Sequence, residues 1–282
     1  MLNLTHYFKE DKTIYPKSGL KFWVFDSIKV DSFVQDSLVP FREAYIAEAK
    51  IQYNICKYNT KRENEIAEQL PDKGDVMSGD FGEILAFYMA CQIWSPSVNV
   101  QPMKWRLKNK KKAASPYTDI ILFQLNDSSN PDPSDAMYTY EIKTRATKLG
   151  NTTYKKHVRP SFVNYKDGKQ ECTIIEAVFD ANKDAVERAA ETIPYLLTRC
   201  KDMDNEELYH QIFRFSDAVK TTYQKQHDAV AIIDSAHLDE QISRIPSDLL
   251  TAHPFVKNVY CLPINDLQQV YEQVYDEMPQ KA

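Results

Sequence analysis

The sequence predicts an α/β fold: a mixed central sheet flanked by helices, with an N-terminal β/helical elaboration. Three observations predict it. Residues 138–144 alternate, with Tyr138, Tyr140 and Ile142 on one side and Thr139, Glu141 and Lys143 on the other, the period of a strand. Residues 120–123 (IILF) form a short apolar run behind a Pro-marked turn, and the turn-rich stretch 126–136 (NDSSNPDPSDA) links the two, which predicts an antiparallel pair. Around this pair, Phe81, Ile84, Leu85, Tyr88 and Met89 recur at helical spacing, as do Val186, Ala190, Ile193 and Leu197.

Composition narrows the classes. The chain has 282 residues, 43% hydrophobic and 27% charged, enough for one large folded domain and unlike a disordered chain. No apolar run approaches a membrane span, and the first residues lack the apolar core of a signal peptide, so a cytoplasmic protein with no membrane association is expected. Cys56, Cys91, Cys172, Cys200 and Cys261 are odd in number and form no C-x-x-C pair, which argues for reduced thiols rather than a zinc site or disulfide framework. Only six glycines are present and none falls in a phosphate-cradling or dinucleotide-binding pattern. The net charge of −5 divides unevenly: residues 179–282 net −8, so the first 178 net +3. Phosphate contact is expected in the earlier, positive part.

In order, residues 20–25 (LKFWVF) read as a strand, with a second around 28–33. Pro40 is expected to open a helix that runs to about Asn54, breaks near Asn59 and resumes to Leu70, burying Tyr45, Ile46, Ile51 and Ile55. Residues 71–78 read as a loop, 81–94 as a helix and 98–107 as a strand. After the pair at 120–123 and 138–144, residues 173–179 read as a strand, and Asp180 or Asn182 caps a long helix over 181–201. A shorter helix over 206–223, a buried strand at 227–234, a turn of helix at 247–250, a strand at 256–262 and a helix at 264–276 complete the chain. The expected division is an N-terminal elaboration at 1–78 and a main domain at 79–282 with an acidic C-terminal extension.

The chemistry gathers around one strand. Glu141 and Lys143 share a strand face, Asp119 stands at the mouth of the preceding strand, and Glu83 lies at the flank of a helix face. Taken singly, Asp119 is a turn residue, Lys143 an ion-pair partner of Glu141, and Glu83 a favourable acid near a helix start. Two basic stretches flank the group. Lys104, Arg106, Lys108, Lys110, Lys111 and Lys112 surround Trp105; Lys148, Lys155, Lys156, His157, Arg159, Lys166 and Lys169 are interleaved with Tyr154, Phe162 and Tyr165. A charge run is usually a solvated face. Here Lys108, Lys110, Lys111, Lys112, Lys155, Lys156 and Arg159 are the candidate nucleic-acid contacts, because cations that hold a phosphate backbone belong beside carboxylates that hold a metal.

The order Glu83, Asp119, Glu141-x-Lys143 on helix, strand and strand resembles the PD-(D/E)xK nuclease superfamily over residues 79–235. That resemblance implies a restriction-endonuclease-like core, with Asp119, Glu141, Lys143 and Glu83 as site residues. Asp119, Glu141 and the carbonyl of Ile142 become candidate ligands of Mg²⁺, with Mn²⁺ as a substitute. Pro116 stands three positions before Asp119 rather than beside it. The sequences GDFGE at 79–83, TDI at 118–120 and YEIK at 140–143, with the acidic late helices and strand, are similar to the HamA family, the nuclease subunits of the bacterial Hachiman antiphage system. This likeness implies a DNA nuclease held in check by a helicase partner, HamB. Three other readings stand beside it: a stand-alone restriction-type endonuclease, a catalytically silent nucleic-acid-binding adaptor on a nuclease scaffold, and an α/β interaction protein in which the cluster is coincidence.

Overall fold

The computed structural model describes residues 2–14, 19–107, 118–147, 172–186, 189–216 and 222–282. Its strands are β1 (Phe8–Asp11), β2 (Leu20–Phe25), β3 (Ile120–Gln124), β4 (Ala136–Arg145), β5 (Gln224–Asp234) and β6 (Val256–Ile264). They form one sheet in the order β1-β2-β6-β5-β4-β3. The two edge pairs, β1 with β2 and β3 with β4, are antiparallel, and the three inner pairings are parallel, so the sheet is mixed. Parallel strands are covered on both faces, which is why β5 reads as a continuous apolar run. Val230 and Ile232 face one core; Ala229, Ala231 and Ile233 face the other.

Between β2 and β3 the chain forms α1 (Val30–Tyr45), α2 (Glu48–Tyr58), α3 (Arg62–Ala67) and α4 (Asp75–Met89). Between β4 and β5 lie α5 (Thr173–Val186), α6 (Ala189–Asp202) and α7 (Glu206–Phe213); between β5 and β6, α8 (Leu238–Ser243) and α9 (Leu249–Ala252); after β6, α10 (Leu267–Lys281). Helices α1, α4 and α10 cover one face with the larger core, in which Phe33, Phe41, Phe81 and Tyr140 are wholly buried. Helix α5 covers the other face, and α6 and α7 pack Leu196 and Ile212 against Ile121, Phe123 and Met137. The residues before position 79 build β1, β2 and three helices of this same sheet and core.

Several expectations need correction. Residues 28–33 are not a strand: a short 3-10 turn, Ser27–Lys29, runs into α1, because Phe33, Val34, Ser37, Leu38 and Phe41 are buried at helical spacing. That burial carries α1 through Pro40, which lies inside the helix rather than at its start. The break near Asn59 is present, where Asn59 takes a left-handed φ of 53° and ends α2, but the expected helix from Pro40 is also broken earlier, at the extended residues Ile46 and Ala47 between α1 and α2. Helix α4 begins at Asp75, before the expected 81, and passes into a π-helical turn at Ala90–Trp94. Residues 98–107 give one isolated bridge, Val100 to Phe123, and a 3-10 turn, Lys104–Leu107, in place of a strand. Residues 173–179 are helical, and 181–201 divides between α5 and α6. The short β1 was not expected. Among the described residues no helix is long and apolar enough to cross a membrane.

Candidate active site

The register of β3 and β4 places Ile120 opposite Tyr140, so Asp119, just before β3, comes level with Glu141. The Ile142 amide donates to Asp119 Oδ2 at 2.8 Å, and the side chain thereby takes the place of the next ladder partner. Alternation along β4 sends Tyr140 and Ile142 into the larger core and turns Lys143 towards α5. There Lys143 Nζ stands 2.9 Å from Glu141 Oε1 and 2.8 Å from Asp180 Oδ2. Two residues on, Arg145 donates to Thr173 Oγ1 at 3.0 Å and reaches Glu176 at 3.5 Å.

A second group arrives from the α4 face. A Cβ on Gly82 would fall 1.9 Å from Thr144 Oγ1, so a glycine is what lets α4 lie this close to β4. The next residue, Glu83, is thus set where its Oε2 meets Lys104 Nζ at 3.1 Å and accepts from Trp105 Nε1 at 3.2 Å. The Trp105 ring is held edge-on by Phe87. Lys104 Nζ also lies 3.7 Å from Asp119 Oδ1 and donates to the Thr118 carbonyl at 3.5 Å. Asp119 therefore joins the two groups, one oxygen towards Lys104 and the other on the β4 amide.

The electrostatics follow from burial and close charges. Burial alone would push Lys104 down, but Glu83, Asp119 and Glu141 more than offset it and hold the ammonium above its ordinary value. Burial raises the Glu83 carboxyl to about 7; Lys104 opposes that rise, while Asp119 and Asp80 add to it. Lys143 behaves as Lys104 does: burial lowers it, and Glu141, Asp119 and Asp180 together raise it above its ordinary value.

The structure brings together Glu83, Asp119, Glu141, Ile142 and Lys143. What Ile142 contributes to these contacts is its N–H. Lys104, expected in a phosphate-facing run, is turned inward, and Arg106 donates to the Glu43 carbonyl instead of facing solvent. Lys108, Lys110, Lys111, Lys112, Lys155, Lys156 and Arg159 lie outside the described residues. Two members escaped sequence reasoning. Asp180, expected as a helix cap, is the ion partner of Lys143 from within α5. The signal was present, since Glu176 and Asp180 are four apart and share one helical face, the face towards Arg145 and Lys143. For Lys104 the sequence carried no such signal.

Among the described residues no three His, Cys, Asp or Glu side chains stand close enough to hold a metal ion by themselves. The donor chemistry that is present is two hard carboxylates, Asp119 and Glu141, level with one another on neighbouring strands. That suits a divalent ion that takes one or two carboxylates and completes its shell with water and substrate phosphate.

Comparison with curated proteins gave no match. The sequence profile of the HamA family matches residues 4–278, nearly the whole chain and all of the residues just described. The chain belongs to the HamA family, and its association is with Hachiman antiphage defence.

Proposed function

We propose that this chain is a metal-dependent DNA nuclease, the cleaving subunit of a Hachiman system, on a core of the PD-(D/E)xK type. The observation that carries the reading is the convergence of Asp119, just before β3, with Glu141 and Lys143 of the neighbouring β4. Asp119 and Glu141 would hold Mg²⁺, with Mn²⁺ as a substitute and the Ile142 carbonyl as a further oxygen donor. Once bound, such an ion polarises a phosphoryl oxygen and lowers the pKa of its water. The Ile142 amide fixes the Asp119 carboxylate in rotation. Lys143 presents a fixed positive charge where charge builds on the scissile phosphate, and Asp180 orients it from the far side. DNA is the proposed substrate, with the lysines and arginine of residues 108–112 and 155–159 as its backbone contacts. A HamB-like helicase is the proposed partner and restraint.

The test is plasmid degradation by the purified chain with Mg²⁺, with and without EDTA and the partner helicase, beside Glu141→Ala and Lys143→Ala. Cutting that needs metal and falls about 10³-fold in both variants supports the reading. Metal-dependent cutting that survives both substitutions refutes the assigned site. The second reading, a silent adaptor, draws on the saturation of both lysines by carboxylates. It is favoured if no preparation cuts, with or without the helicase, while Glu141→Ala leaves defence intact. Residues 1–37 are a candidate docking element for that helicase, and surface charge reversals are the test, because deleting them removes β2 from its pairing with β6.

A further inference from the structure

Lys104 differs from Arg106, the other described member of the basic run, which turns to the Glu43 carbonyl. Lys104 is 6% exposed, and its ammonium sits among three oxygens: Glu83 Oε2 at 3.1 Å, Asp119 Oδ1 at 3.7 Å and the Thr118 carbonyl at 3.5 Å. An acidic helix residue, a strand-end aspartate and a main-chain carbonyl are the donors a divalent cation takes. In sites that use two ions, the pair lies about 3.5–4 Å apart and shares a carboxylate. Asp119 is in the position to be shared here, with one oxygen towards Lys104 and the other towards β4.

We propose that Lys104 is a resident second cation. Its ammonium fills the place from which another divalent ion would bridge Glu83 and Asp119, so the chain binds one divalent ion, at Asp119 and Glu141. The inference rests on the assignment of those two carboxylates as ligands. Lys104 is then a positioning residue: it neutralises Glu83 and holds Asp119 in place without touching the reacting atoms. A lysine suits this task because its charge stays in place at any metal concentration, whereas a second ion must be bound anew.

The experiment counts Mn²⁺ on the full chain by electron paramagnetic resonance of the free ion, with no substrate and no readout of cutting. The wild type is expected to bind about one Mn²⁺ per chain. Lys104→Met, close in volume but neutral, frees Glu83 and Asp119 and is expected to bind about two. Lys104→Arg keeps the charge and is expected to stay at about one. Two ions on the wild type, or one on Lys104→Met that is folded by circular dichroism, overturns the role of Lys104 and leaves the nuclease reading standing. If Lys104→Met does not fold, the wild-type count decides alone. No Mn²⁺ on the wild type at millimolar concentration overturns the metal reading of Asp119 and Glu141, and this inference with it.

Discussion

Two lysines stand in this site, each between two carboxylates, and they differ in their access to water. The Lys104 side chain is 7% exposed, and its partners Glu83 and Asp119 are nearly as enclosed. The Lys143 side chain is 29% exposed and its outer partner Asp180 31%, while its inner partner Glu141 is enclosed at 3%. The first set is wedged at the α4 face, under Trp105; the second opens beside α5. Equal chemistry in unequal solvent gives unequal duties. A cation that cannot meet solvent cannot meet a phosphate, so Lys104 organises its neighbours while Lys143 is placed to act on a substrate.

Removing the enclosed charge should produce the largest loss. Lys104→Ala leaves Glu83 and Asp119 largely enclosed without their cation, and a loss of about 3–5 kcal/mol is expected in metal-free urea melts. A loss below about 1 kcal/mol would show that water reaches this set as freely as the other. Next comes acid. His227 on β5, hydrogen-bonded to Thr139 of β4, has its pKa pushed down to about 4 by burial, with Lys225 adding a little. The unfolded chain binds that proton from about pH 6.5, the folded chain only near 4. The His227 share of the stability should therefore fall as pH drops through that window, by about 2 kcal/mol after solvent screening, against an opposite share from Glu83, whose raised carboxyl takes up its proton first in the folded chain. The midpoint of urea unfolding against pH checks this, and His227→Asn should lack that part of the slope.

Gly82→Ala tests how tightly the enclosed set is clamped. The new methyl meets Thr144 Oγ1, and a loss of about 1–3 kcal/mol is expected from thermal unfolding. Adding Thr144→Ala should recover part of it; full additivity of the two changes would mean that α4 and β4 do not touch there. The smallest effect belongs to the open set. Asp180→Asn breaks a half-exposed ion pair and should cost less than about 1 kcal/mol. A loss as large as that for Lys104→Ala would erase the distinction between the two lysines.

The legible part of this molecule was the part whose pattern is local. Residues 120–123 and 138–144 declared themselves as strands, and their turn-rich link implied the antiparallel register that levels Asp119 with Glu141. The β5 and β6 strands were legible for the same reason. Helix α5 was misread because Ile174, Ile175 and Val178 favour strands as residue types, although the buried set Ile174, Ala177, Val178 and Ala181 repeats at helical spacing. Strand β1 was missed because FKED is short and mostly polar; it exists by pairing with β2. Asp180 fell with the misreading of α5. Lys104 was illegible for a deeper reason: its inward turn depends on Glu83 and Asp119, and nothing in a run of lysines marks the one that carboxylates will capture.

The parallel pairing of β2 with β6 sets a timetable. Leu20 is matched with Val259 and Phe22 with Cys261, strand partners from nearly opposite ends of the described chain. During synthesis, β1 and β2 leave the ribosome before the other strands of the sheet, and β2 waits for β6 before it finds its place. The β3–β4 hairpin, with Asp119 and Glu141, closes locally and early, but its parallel neighbour β5 and then β6 arrive late. Such long-range closure is slow. A nascent chain interrupted before residue 256 therefore holds the acidic pair on an unfinished sheet, and the site gains its full support only as the last strand is added.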